Sequence, residues 1–256
     1  LSRGLGDVYK RQDIYRPYKP KKKTRATVAK AKGLEPLAAY MMLQQAKEPL
    51  EETAKQYISE EKEVKTEEEA IAGAKDIIAE IISDNADYRT WIRKTTMKKG
   101  KVVSTAKDPE TESVYEMYYE FEESVEKLAG HRILALNRGE KEKFLNVKIE
   151  APTEEILRYL EKKIITKENP QTKPVLQATI EDAYNRLIAP AIEREVRNQL
   201  TEKAEDGAIK VFGKNLEQLL MQPPIAGQVV LGWDPAFRTG CKLAVVDATG
   251  KVLDTT

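Results

Sequence analysis

The chain has 256 residues, 33% of them charged, with a formal net charge of +1 and a single cysteine. This composition is typical of a soluble, helix-rich protein of one or two domains, and it excludes an intramolecular disulfide and a cysteine-based zinc site. No apolar run reaches the roughly 18 residues of a membrane span, and the near-zero net charge means that any basic surface is local.

The first twelve residues, "LSRGLGDVYKRQ", are similar to a translated sequencing-adapter string. We therefore interpret residues 1–12 as a non-native leader; the alternative is a frayed natural N-terminus. The segment lacks the apolar stretch of a signal peptide, so the cytoplasm is the expected location.

The stretch 15–33, "YRPYKPKKKTRATVAKAKG", carries eight lysines or arginines and no acidic residue. Lysine and arginine bind phosphates, and tyrosines stack on bases. The pattern predicts weak binding to nucleic acid, RNA or DNA, through Tyr15, Tyr18, Lys19, Lys21, Lys22, Lys23 and Arg25. The alternative is a solvated connector or the charged face of a helix.

Helical signals dominate the next part of the chain. Pro36 and Pro49 each stand in the first turn of a short predicted helix. Thr66 and Glu69 form a capping box ahead of a helix whose apolar residues at 70, 71, 74, 77, 78, 81 and 82 lie on one face. A further helix ends at Gly100, and residues 101–105 can form a short strand.

We predict a helix over 109–129, because Asp108 and Pro109 form an N-cap and N1 pair and Gly130 ends the pattern. Its aromatic residues are expected to pack in the core; these are Tyr115, Tyr118, Tyr119 and Phe121. A short helix, a turn at 137–139 and an extended stretch at 144–149 follow.

The charged residues of this part favour structural uses. His131 is the only histidine and has no partner cysteine or histidine, so it is not expected to bind a metal. The cations Arg132, Arg138 and Lys141 could form a second basic face, but intervening glutamates favour intramolecular ion pairs.

Helices are predicted over 153–166, 176–203 and 205–221, with Pro190 kinking or dividing the second of them. The motif "QPPIAGQ" at 222–228 marks a domain boundary. Three strands follow, at about 229–233, 241–247 and 251–255, with a hairpin turn from Asp247 to Gly250. Asp234 follows a predicted buried strand, where active sites form in α/β proteins, but spacing alone favours the alternative of a turn former before Pro235.

The segment "VVLGWDPAFRTGCKLAVVDATGKVLDTT" resembles the start of the YqgF domain in the Tex family of bacterial transcription accessory proteins. The matching motif is a strand followed by D-P-G-x-R-T-G, which places Asp234, Pro235, Arg238, Thr239 and Gly240. Upstream, "DIYRPYKPKKKTRATVAKAKGLEPLA", "YEMYYEFEESVEKLAGHRILALNRGE" and "RLIAPAIEREVRNQL" also resemble Tex. The resemblance covers about residues 13–256.

The resemblance implies a mainly α fold. We expect a multi-helical Tex-like region at 13–222, followed at 229–256 by the first three strands of a truncated ribonuclease H-like α/β domain. Asp234 would then occupy the first-strand acidic position, which in nucleases of this fold helps to hold two metals. Ala236 and Trp233 depart from the family pattern at this loop.

The function implied is that of a non-catalytic scaffold that binds nucleic acid and engages the transcription machinery. No cofactor, metal, membrane or small-molecule substrate is expected. The alternatives are part of a metal-dependent nuclease, which would need further carboxylates beside Asp234, and a purely structural helical connector.

Overall fold

The computed structural model describes residues 5–20, 22–223, 225–238 and 240–256, with side chains from residue 8 onward. It forms two compact units, Leu1–Asp206 and Gly207–Thr256. The chain is mainly helical and ends in a small antiparallel sheet, so the predicted fold class is confirmed. Lys21 and Thr239, two of the predicted site residues, lie outside the described residues.

Ten α-helices occur in the described part of the chain. They are α1 (Leu5–Tyr15), α2 (Arg25–Ala31), α3 (Glu35–Leu43), α4 (Leu50–Ala54), α5 (Glu67–Asp84), α6 (Ala86–Lys99), α7 (Gly130–Lys141), α8 (Thr153–Ile164), α9 (Lys173–Asp182) and α10 (Ala189–Leu220). Helix α1 begins inside the segment that the sequence suggests to be a non-native leader.

Helix α5 is central to the first unit, and α2, α3, α4 and α9 pack around it. The Thr66 hydroxyl accepts a hydrogen bond from the Glu69 amide at 3.2 Å, which confirms the predicted N-cap. Most of the predicted apolar stripe is buried, although Ile81 is exposed. The hydrophobic face of one helix therefore organises this part of the core.

The first unit also contains a three-stranded sheet, formed by β1 (Lys101–Ala106), β2 (Glu120–Ser124) and β3 (Leu145–Glu150) in the antiparallel order β2-β1-β3. The predicted helix over 109–129 is therefore wrong. Strand β2 pairs with β1, from Lys101 opposite Ser124 to Thr105 opposite Glu120. Pairing with a distant strand overrides a local helical spacing.

The core role of the aromatic residues is confirmed despite this error. Tyr115 and Tyr118 are buried, and Tyr119 and Phe121 are half-buried against the core. The predicted turn at 137–139 is wrong, because α7 continues through it. Gly139 lies inside α7, where an added Cβ would come within 2.6 Å of Leu145 Cδ1, so the glycine permits close packing rather than a turn.

The predicted division at Pro190 is confirmed in an unexpected form. Residues Ala183–Ile188 form a π-helical turn between α9 and α10. Pro190 has no N–H and its ring clashes with the carbonyl four residues earlier, and a wide turn just before it relieves that conflict. The chain then stays helical to Leu220, so the separate helix predicted at 205–221 is wrong.

The second unit includes the strands β4 (Val230–Ala236), β5 (Gly240–Val246) and β6 (Val252–Thr255), which form an antiparallel meander. This confirms the three predicted strands. The Asp247 carboxylate accepts hydrogen bonds from the amides of Thr249 and Lys251, at 2.8 and 3.0 Å, which confirms the predicted hairpin turn. Leu231 and Trp233 of β4 are 58% and 67% exposed, so the prediction that this strand is buried is wrong.

Candidate nucleic-acid interface

The two predicted stacking residues lie on the surface. Tyr15 ends α1, and Tyr18 ends the short 3-10 helix Arg16–Tyr18 that follows it. Tyr18 is 78% exposed and Tyr15 is 57% exposed. The amide of Lys19 donates to the carbonyl of Tyr15 at 3.1 Å, which closes this turn. Both rings are thus accessible to a planar ligand.

Three of the predicted phosphate-binding lysines are also exposed. The side chains of Lys19, Lys22 and Lys23 make no hydrogen bond or ion pair within the described residues. We call the set Tyr15, Tyr18, Lys19, Lys22 and Lys23 the Tyr–Lys segment. It combines cations with exposed aromatic rings, the two features that bind a nucleic-acid strand without reading its sequence.

The remaining cations of this stretch are partly neutralised. Arg25 is exposed, but it lies near Asp182 and helps to lower the pKa of that carboxyl, after the larger effect of Arg186. Arg16 pairs with Asp84 at 3.2 Å, and the Lys32 ammonium donates to the Glu63 carbonyl at 2.8 Å. Of the predicted residues, Arg25 is therefore the weakest candidate for a phosphate contact.

An open groove of about 1190 Å³ lies beside the segment and is lined in part by Lys23 and Arg25. Its lining carries as many carboxylates as cations: Glu60, Glu63, Glu69 and Asp76 beside Lys23, Arg25, Lys32 and Lys65. The groove thus has no net positive charge to attract a phosphate backbone. The exposed lysines of the Tyr–Lys segment are therefore better candidates for phosphate contacts than the groove.

A buried ion network fastens the Tyr–Lys segment to the body. Asp13, on α1, is 2% exposed and accepts hydrogen bonds from Arg89 Nε at 2.5 Å and Arg93 Nη2 at 2.6 Å. Glu195, on α10, accepts from Arg89 Nη2 at 2.6 Å and from Arg93 Nε at 2.8 Å. We call these four residues the Asp13–Glu195 network.

The electrostatics of this network favour the charged state of Arg93. Burial lowers the pKa of Arg93, but its hydrogen bonds to Asp13 and Glu195 outweigh burial and raise it overall. The Arg93 guanidinium also lies 5.2 Å from the centre of the Tyr9 ring, a cation–π distance. Sequence reasoning missed the network, although two arginines four residues apart on one face of α6 were a signal of it.

Within the described residues, one of the three cations of the second basic face considered from the sequence forms an ion pair. Arg132 forms an ion pair with Glu123. Glu140 pairs with Arg197, whose hydrogen bond lowers the pKa of the Glu140 carboxyl. The interpretation as intramolecular ion pairs is confirmed for Arg132.

Asp234 lies in β4, is exposed and stands opposite Lys242 of β5. Within the described ranges, no group of three or more histidine, cysteine, aspartate or glutamate residues could hold a metal ion. A two-metal site needs several carboxylates, so the residues around Asp234 do not fit one. Asp247, a second acid of this segment, accepts hydrogen bonds within its own turn.

The other motif residues that the structure describes lie in β4, in β5 or between these two strands. Pro235 lies in β4 opposite Cys241, Arg238 is exposed in the turn, and Gly240 begins β5 with φ of +78°. A positive φ favours glycine at this position.

The fold and this interface define a class: a helical body bearing an exposed basic segment, followed by strands of a ribonuclease H-like domain. Family models agree with it. The model for the Tex central region matches residues 44–212, and the model for the Tex protein YqgF-like domain matches residues 228–256. The chain belongs to the Tex family.

Curated relatives support the assignment. The chain is 59% identical to YdcI of Bacillus subtilis over 94% of this chain and 34% of that protein. It is 35% identical to protein tex of Bordetella pertussis over 95% of this chain and 33% of that protein. It is 30% identical to the human S1 RNA-binding domain-containing protein 1 over 95% of this chain and 26% of that protein.

The chain thus spans about a third of the length of the bacterial relatives that it matches. In the described part of the chain, no helix is long and apolar enough to cross a membrane.

Proposed function

We propose that this chain acts as a non-catalytic scaffold that binds nucleic acid through the Tyr–Lys segment and engages the transcription machinery in the cytoplasm. The observation that carries the proposal is the joint exposure of two tyrosines and of three lysines that have no ion-pair partner within the described residues, on a segment fastened by buried charges. Family relatives add support, since one is named transcriptional accessory protein Tex of Neisseria gonorrhoeae.

The binding is expected to be independent of sequence. Lysine reaches phosphates as a point charge, and stacking on tyrosine tolerates every base. Three cations release few counterions, so affinity should be weak and should fall as salt increases. The human relative is named after an S1 RNA-binding domain, and that domain is a property of the human protein.

The test is a salt titration of binding to a labelled oligonucleotide, by fluorescence anisotropy. Replacing Lys19, Lys22 and Lys23 by glutamate should weaken binding and reduce the slope of log K against log salt by about 2 to 3, at roughly 0.7 to 0.9 per phosphate contact. The matched control replaces three exposed lysines of α10, Lys203, Lys210 and Lys214, with the same change in net charge.

If both triple variants lose affinity equally, net charge rather than the Tyr–Lys segment governs binding and the proposal fails. If neither variant differs from the unaltered chain, the basic stretch is a solvated connector.

We further propose that the chain has no nuclease activity. Hydrolysis by two metals requires a carboxylate cluster, and Asp234 has no acidic partner set within the described residues. Incubation of labelled single and double strands with Mg²⁺ should give no cleavage. Cleavage that Asp234→Asn abolishes would favour the nuclease alternative.

A further inference from the structure

A recess of about 390 Å³ lies between α6, the end of β3 and the start of α10, far in sequence from the Tyr–Lys segment. Its floor includes the buried side chains of Ile92, Thr96, Tyr184 and Ile192. Tyr184 belongs to the π-helical turn, and such turns are frequent at functional sites. We call this cavity the α6–α10 recess.

One polar group in the recess is unsatisfied. The Thr96 side chain is 1% exposed, and its hydroxyl has no hydrogen-bond partner within the described residues. A buried hydroxyl without a partner costs free energy. A ligand that supplied the missing hydrogen bond would remove this cost.

The charged side chains that line the recess are all negative. Two carboxylates line it, Glu150 and Glu193, and its lining contains no lysine, arginine or histidine. Glu193 Oε1 accepts a hydrogen bond from the Ile149 amide at 3.0 Å, which fixes the side chain, and Oε2 has no partner within the described residues. The Lys101 ammonium forms an ion pair with Glu122 at 2.5 Å, and its electrostatic interaction with Glu150 is weaker.

Apolar side chains suited to a methylene chain form much of the remaining lining, which also includes the polar side chains of Thr153 and Asn185. Ile92, Ile149, Ala189 and Ile192 line the recess. Pockets of this volume, with apolar walls and a few convergent polar groups, are typical of small-ligand sites.

We propose that the α6–α10 recess binds the ammonium group of an aliphatic amine. An ammonium has three donors and no acceptor, and the free Oε2 of Glu193, the Glu150 carboxylate and the Thr96 hydroxyl can all accept. The aliphatic part would pack on the isoleucines. The amine can be a free polyamine or a lysine side chain of a bound protein, which present the same chemistry. This inference is independent of nucleic-acid binding.

The experiment is an NMR titration of the full chain with 1,5-diaminopentane, read from the amide signals of residues 184–193. Pentan-1-ol and pentanoate, of the same chain length, test the need for positive charge. We expect saturable shifts with the diamine alone. Equal shifts with pentan-1-ol would overturn the proposal, and so would the absence of saturable binding.

Two variants test the assigned residues. Glu193→Gln keeps an oxygen that can accept from the Ile149 amide but removes the charge, and it should weaken diamine binding at least tenfold. Glu181→Gln, at an exposed position of α9, is the matched control and should leave affinity unchanged. Equal effects of the two would reduce the binding to general charge attraction and overturn the proposal.

Thr96→Val gives a readout that a purely structural role would not produce. Removing the unpaired hydroxyl should raise the thermal midpoint of the free chain while weakening diamine affinity. Unchanged affinity in this variant would overturn the role of Thr96. Spermidine and Nα-acetyl-lysine methylamide then separate the two sources: the tighter ligand identifies the source, and binding of neither overturns the proposal.

Discussion

Asp13→Asn is the sharpest test of how the Tyr–Lys segment is held. The substitution keeps the size of the side chain but removes its negative charge from the Asp13–Glu195 network. Arg89 is 0% exposed, and its Nη1 already lacks a hydrogen-bond partner among the residues that the structure describes. The variant therefore leaves two arginines facing a single carboxylate, Glu195.

The expected loss of unfolding free energy follows from the burial of Asp13 and of the arginines that it pairs with. Breaking a buried ion pair by removing one member costs about 3 to 5 kcal/mol. Glu195 still bridges both arginines, which places the expected loss near the lower end, at about 3 kcal/mol. An exposed pair gives the contrast: Glu52→Gln removes the ion pair with Lys55, where both side chains are 52% exposed, and should cost far less because water screens the charges.

The assay is urea unfolding followed by tryptophan fluorescence. Trp91 lies on α6, between Arg89 and Arg93 in sequence, and stacks on Tyr159, with ring centres 3.8 Å apart. Trp233 is the other tryptophan, so a Trp233→Phe background makes Trp91 the reporter of the first unit. The free energy of unfolding is compared among the background, the Asp13→Asn variant and the Glu52→Gln variant.

A loss no larger than that of Glu52→Gln would refute the reasoning, because it would mean that Asp13 is solvated or that α1 is not docked. Oligonucleotide affinity gives a second readout. If the network positions the Tyr–Lys segment, Asp13→Asn should weaken binding as well.

Further outcomes are expected. Tyr18→Ala should weaken single-strand binding by about 1 kcal/mol or more, whereas Tyr18→Phe retains stacking, and equal losses would argue against a stacking role. The pKa of Glu140 lies below its ordinary value of 4.5 because Arg197 donates to it. The stability that the Glu140 carboxylate contributes to the fold is therefore fully present above about pH 5, and it is lost as the pH falls through the pKa of Glu140 in the folded state. The difference in unfolding free energy between the chain and Arg197→Met should accordingly shrink on acidification, and a constant difference would contradict this. Finally, amides of 229–231 and 243–246 should exchange faster than those of 176–200, since the sheet is exposed; equal protection would contradict this.

Local signals predicted much of the fold. The Thr66 cap and the apolar spacing of α5 are short-range features, and short-range physics decides them. The hairpin at Asp247 likewise depends on hydrogen bonds within five residues. The helix wrongly placed over 109–129 shows the limit: Phe121 lies in a strand whose partner, β1, is about twenty residues away.

The candidate site was predictable only in part. Exposed cations and tyrosines are visible in composition, and Lys19, Lys22 and Lys23 remain the strongest candidates. Arg25 is a weaker candidate for a phosphate contact because Asp182, which is distant in sequence, lies near it. The Asp13–Glu195 network joins three distant parts of the chain, and no spacing rule reveals such a contact.

Because of the π-helical turn, the packing of the long helical stretch depends on its number of residues. Seven buried side chains recur at every fourth position, at Leu176, Ile180, Tyr184, Ile188, Ile192, Val196 and Leu200. In a regular α-helix, four residues overshoot a full turn by about 40°, so Leu176 and Ile192 would face nearly opposite directions. A wider turn consumes more residues per revolution and cancels part of this rotation.

The four-residue spacing of the buried side chains and the wide π-helical turn thus compensate each other. Together they keep these side chains packed against the core. Adding or deleting one residue between Leu176 and Leu200 would rotate everything beyond it by about 100° and expose the last apolar residues. The same change after residue 207 would rotate only exposed side chains. Within this run of helix, length is therefore as strongly constrained as residue type.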